Sequence, residues 1–109
     1  MRAYDSLSRR ADFARLRRRG RRLETPHLTI VAAPASGGRP KVAFVTVKAF
    51  GGAVERNRAR RRVRAAFDRL PQMQGRGFDL ILTARPSAGG ADFAALCEQL
   101  SSALARLGS

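Results

Sequence analysis

The chain has one cysteine and one histidine in 109 residues. A single thiol excludes an intramolecular disulfide, and a single imidazole excludes a clustered zinc site. Cys97 shares a helical stripe with Phe93, Leu96, Leu100, Leu104 and Leu107 and reads as a core thiol. His27 opens an apolar run and reads as an edge residue. No apolar run reaches membrane-spanning length and the N-terminus lacks an apolar segment of signal-peptide type, so the expectation is a cytoplasmic protein with no membrane partner. Acidic residues number only eight: Asp5, Asp12, Glu24, Glu55, Asp68, Asp79, Asp92 and Glu98. No two of them have the spacing of a paired metal or acid–base site, and nothing resembles an activated nucleophile. We expect no catalytic residue and no metal bound by protein side chains. Seven aromatics and 44% hydrophobic residues allow a modest core, hence a single domain over residues 1–109.

What the sequence has instead is positive charge. Twenty-two basic residues, twenty of them arginine, give a net +14. Residues 1–70 hold nineteen bases against five acids and account for the whole excess, whereas residues 71–109 balance three against three. The densest stretch runs from Gly52 to Phe67 and, with Arg69, contains seven arginines. At 100° per residue, Ala59, Val63, Ala66, Phe67 and Leu70 fall on one stripe, the pattern of a helix packed on a core. Asn57, Arg61 and Arg64 point the opposite way, with Arg60 on one flank and Arg58, Arg62 and Arg69 on the other. A solvated charged face usually mixes both signs, but only Glu55 and Asp68 oppose these arginines. The guanidinium fork donates bidentately to phosphate and stacks on bases, so a polyanion is the partner that fits.

The rest of the chain reads as alternating elements. Ser8 can cap a helix ending near Arg19, with Gly20 as its stop and Ala11, Ala14 and Leu16 among its inward residues. Leu23 to Ala33 reads as extended and divided at Pro26. Pro34 to Pro40 reads as a hairpin loop, and Lys41 to Val47, apolar on both faces, as a covered central strand. After the arginine helix come a linker from Pro71 to Gly77, a strand from Phe78 to Ala84, a Gly-rich turn and a closing helix from about Ala91 to Leu107. No internal repeat is visible. The order is α-β-β-β-α-β-α, an α/β (α+β) two-layer sandwich on a small sheet.

Gly52-Ala53-Val54-Glu55-Arg56-Asn57-Arg58, followed by Arg60-Arg61 and Arg64, resembles the Arg-Asn-Arg signature of the bacterial ribonuclease P protein family. Leu7, Asp12-Phe13 and the basic turn ending at Gly20 resemble that family's first helix, and Phe78 to Pro86 resembles its last strand, so nearly all 109 residues can be placed. The resemblance implies a small mixed sheet with a left-handed βαβ crossover, as in a domain of a small-subunit ribosomal protein, although the general rule favours a right-handed connection. It also implies an endoribonuclease in which an RNA subunit, using Mg2+, removes the 5′ leader of precursor tRNA with the help of a monomeric protein.

By that resemblance Arg56, Asn57, Arg58, Arg60, Arg61 and Arg64 would face the catalytic RNA. The leader would run between the sheet and the first helix, past Phe13, Arg17, Phe44 and Lys48. The sequence departs from the family where aromatics are expected: Arg17 and Val31 have lost the ring, Ala49 lacks a second base and Gly52 replaces the usual asparagine. A guanidinium at Arg17 could stack in place of a ring. The alternative reading is a structural, ribosomal-type RNA-binding protein without a catalytic partner. A nucleoid-type DNA binder is disfavoured because no helix-turn-helix arrangement is suggested.

Overall fold

The computed structural model describes residues 4–37, 39–47, 51–70 and 77–107. In chain order the elements are β1 (Asp5–Ser6), α1 (Arg10–Arg19), β2 (Arg21–Glu24), β3 (Leu28–Pro34), β4 (Lys41–Thr46), α2 (Ala53–Asp68), β5 (Phe78–Ala84), a 3-10 turn (Pro86–Gly89) and α3 (Phe93–Leu107). The strands form one mixed sheet in the order β1-β4-β5-β3-β2. The pairs β1–β4 and β4–β5 are parallel, whereas β3 is antiparallel to both β5 and β2. The result is an α+β fold with three helices, and α2 makes the crossover between the parallel strands β4 and β5.

Alternation along the strands divides the interior in two. Leu28, Ile30 and Ala32 of β3 and Leu80, Leu82 and Ala84 of β5 face α2 and α3, where they meet Ala59, Val63, Ala66 and Phe67 and also Leu96, Leu100 and Leu104. The intervening residues Ala33 and Ile81, with Ala43 of β4, face the other way and meet Leu16 of α1 and Leu7, which follows β1. The stripe read from the sequence of α2 is thus its buried face. Tyr4, Phe44 and Phe67 pack edge to face at 5.2–6.2 Å between centroids, and the Tyr4 hydroxyl donates to Asp68 Oδ1 at 2.6 Å.

Four local expectations are corrected. The first helix is capped by Arg9 without a side-chain bond, not by Ser8, and its inward residues are Leu16 and, half-buried, Asp12, Phe13 and Arg15, while Ala11 and Ala14 are exposed. Gly20 ends the helix with φ −73°, so no left-handed cap is involved. It is needed because a Cβ there would run into the Leu16 carbonyl and lie 2.6 Å from Val31 Cγ1. The segment between β3 and β4 is no hairpin: β5, apolar along most of its length, inserts between them, and the hairpin is β2–β3 around Thr25–His27. β4 is central only at its start. β1 pairs just Lys41 and Val42, so Phe44, Val45 and Thr46 stay half-buried along an open edge. The two-residue β1 and the 3-10 turn were not anticipated, since elements so short carry no period.

Candidate nucleic-acid interface

The arginine helix divides its guanidinium groups between the fold and the solvent. On one flank, Arg58 Nε donates to the Gly89 carbonyl at 3.0 Å and Arg62 Nε to the Ala88 carbonyl at 3.1 Å, while Arg62 Nη2 reaches the Ala91 carbonyl. Arg62 and Arg69 both lie over the Phe93 ring, 5.7 and 5.6 Å from its centroid. These contacts fasten α2 to the segment entering α3, using carbonyls that the short 3-10 turn leaves open. On the other flank Arg60, Arg61 and Arg64 line a groove with Ser6, Leu7, Phe13 and the β4 residues 42–45. Arg64 sits 5.9 Å from the Phe44 centroid, held as a cation on an aromatic face.

The six residues expected to face RNA are therefore not equivalent. Arg60 and Arg61 are exposed, and Arg60 Nη2 donates to Asn57 Oδ1. Arg64 is half-buried at the groove wall. Arg58 is exposed with one of its donors committed to Gly89. Arg56 lies on the core side of the helical wheel and folds back, Nη1 donating to the Gly51 carbonyl at 2.7 Å. Glu55, in the first turn, is the acid that the positive helix end favours.

The four cleft residues are likewise split. Phe13 and Arg17 stand on α1, with the Arg17 guanidinium 5.6 Å from the Phe13 centroid, so the cation is already seated on a ring. Phe13 and Phe44 line the groove below Arg60, Arg61 and Arg64. Phe44, however, points to the α2 side and packs with Tyr4 and Phe67, so much of its ring serves the core. Arg17 lines a second groove with Gly20, Arg22, Thr29, Val31 and Thr83 on the reverse face of the sheet. Lys48 lies outside the described residues.

The residues that fasten α1 to the sheet were not singled out from the sequence. Asp79 of β5 is fully buried, and its Oδ2 accepts from Arg15 Nη2 at 2.5 Å while its Oδ1 accepts from the Lys41 N–H at 2.8 Å. Arg15 Nη1 also donates to the Pro34 carbonyl at 3.0 Å, and Nη2 approaches Asp12 Oδ1 at 3.5 Å. One guanidinium thus ties α1 to the ends of β3 and β5. The signal was present: a carboxylate inside the apolar run Phe78–Ala84 needs a buried partner.

Both the sequence and the overall fold match known proteins. The Ribonuclease P family model matches residues 1–108. The chain belongs to the ribonuclease P protein family. The ribonuclease P protein component of Chloroflexus aurantiacus is 39% identical over 104 residues, covering 94% of this chain and 76% of that protein. That of Streptomyces avermitilis is 39% identical, covering 93% and 89%. The ribonuclease P protein from Thermotoga maritima superposes with a TM-score of 0.79 at 25% identity, covering 94% of this chain and 96% of that one. The Staphylococcus aureus ribonuclease P protein has the same fold, with a TM-score of 0.77 at 19% identity. Membership makes this chain an RNA-binding component of a tRNA-processing endoribonuclease. Among the described residues no helix is long and apolar enough to cross a membrane.

Proposed function

We propose that this chain is the protein subunit of a cytoplasmic ribonuclease P, binding the catalytic RNA through the exposed face of α2 and the 5′ leader of precursor tRNA through the cleft beside α1. The observation that carries the reading is the one-sided arginine helix: Arg60, Arg61 and Arg64 line one groove together with Phe13. Cleavage belongs to the RNA subunit, whose Mg2+ supplies the metal chemistry. Asp12 and Asp79 of this chain both pair with Arg15.

The help the protein gives is electrostatic. Ribozyme and substrate are both polyanions, and their association is opposed by charge unless salt screens it. A surface that neutralises about six to ten phosphates makes RNA affinity fall by roughly 10³ to 10⁵ between low and moderate salt through counterion release. The protein therefore matters most when magnesium is scarce. In the cleft, Arg17 on Phe13 offers a base a stacking surface where the family more often has a ring.

The test is cleavage of a precursor tRNA at low magnesium by a bacterial ribonuclease P RNA, with the protein, without it, and with the protein alone. We expect activity only in the mixture. No enhancement, together with tight binding to unrelated RNA, would favour a structural RNA-binding role.

A further inference from the structure

Val54 is 78% exposed, and among the described residues no other large hydrophobic side chain stands so open to solvent. It is not there for the fold: it belongs to neither core cluster, and a β-branched residue in a helix loses side-chain freedom that alanine does not. Its direction is informative. Three residues before Asn57 and seven before Arg61, it falls within about 20° of Arg61 and about 40° of Arg58 on the helical wheel. An isolated apolar side chain therefore sits inside the guanidinium face.

Val54, Asn57, Arg58, Arg61 and Arg62 line a groove of about 600 Å³ that meets the one beside Phe13 at Arg61. Arg58 and Arg62 are held in place there by the carbonyls of Ala88, Gly89 and Ala91, so the cationic wall is set before any ligand arrives. The net charge of +14 makes the occupant a polyanion. Phosphate alone has no use for Val54. A nucleoside whose base or ribose face is free does, because its phosphates meet guanidinium groups while its apolar face meets a methyl pair. Paired RNA hides its base faces in the stack, whereas loops and bulges splay them out.

We infer that Val54 seats one unpaired nucleoside of the partner RNA, with the flanking phosphates on Arg58 and Arg61. This inference rests on the RNA-subunit reading above. It assigns α2 a contact that salt does not weaken, next to contacts that salt does.

The test is binding of the full-length chain to a bacterial ribonuclease P RNA across a series of potassium concentrations, with melting temperature as a control on folding. Val54→Ala is expected to bind about three- to tenfold more weakly at every salt concentration, with the slope of log affinity against log salt unchanged, since two methyl groups and no charge are removed. Val54→Ile should bind like wild type, and wild type and Val54→Ala should bind a fully paired RNA equally. Unchanged affinity of Val54→Ala for the ribozyme, a changed slope, or an equal loss on paired RNA would overturn the inference. Failure of the wild-type chain to prefer the ribozyme over unrelated RNA would instead overturn the functional reading on which it rests.

Discussion

The two faces of the sheet are held by different physics. Among the described residues, nineteen buried ones form one continuous cluster on the α2–α3 side that includes the fully buried Phe67. On the α1 side five do, and the helix is tied down by the Arg15–Asp79 pair and its neighbouring acceptors. A helix seated on a wide apolar surface can carry guanidinium groups on its outer face without being displaced by their repulsion. A helix fastened mainly by one buried pair leaves the sheet beside it uncovered, and that uncovered strip becomes a cleft. Platform and cleft are two uses of one sheet.

The contrast can be broken most severely from the thick side. Phe67→Ala removes a ring packed against Tyr4 and Phe44, and we expect a loss of about 3–5 kcal/mol, measured by urea denaturation. Asp79→Ala breaks the thin side. Removing one partner of a fully buried pair costs about 3–5 kcal/mol, but the Arg15 side chain is 26% exposed and can turn to water, so about 2–3 kcal/mol is expected. Hydrogen exchange distinguishes the two: in Asp79→Ala the amides of α1 should lose protection ahead of those of α2.

The two flanks of α2 sharpen the comparison. Arg62→Ala loses bonds to two carbonyls and the contact with Phe93, which should cost about 1–2 kcal/mol of stability. Arg61→Ala should leave stability within about 0.5 kcal/mol and lower the salt slope of RNA binding by about one. The smallest effect is expected at the helix start, where Gly52 caps α2 with extended backbone and no side-chain bond. Gly52→Asn supplies the acceptor and should stabilise by a few tenths of a kcal/mol, read as a small rise in melting temperature.

Legibility followed periodicity. The arginine helix, β5, the division at Pro26 and the closing helix were readable because each carries a repeat of 3.6 or 2 or a breaker at its boundary. The pairing of β3 was not readable. Proximity in sequence suggested β4 as its partner, whereas β5, the longer strand with no exposed residue, takes the middle of the sheet. The stripe of α2 separated core from charge correctly, yet could not tell Arg62, committed to backbone carbonyls, from Arg61, which is exposed. That difference depends on where the 3-10 turn lies, and no local pattern reports it. α1 was misread because its inward face carries Asp12 and Arg15, polar residues that a search for apolar period passes over.

The central claim is that α2 serves the ribozyme and the α1 cleft serves the leader. It is tested most directly by measuring holoenzyme affinity for precursor tRNA with and without its 5′ leader, for the wild-type chain, Arg17→Ala and Arg61→Ala, with ribozyme affinity measured alongside. The account predicts that Arg17→Ala weakens binding of the leader-bearing substrate only, and that Arg61→Ala weakens ribozyme binding whether or not a leader is present. Equal losses from Arg17→Ala on both substrates, or a leader-specific loss from Arg61→Ala, would contradict it.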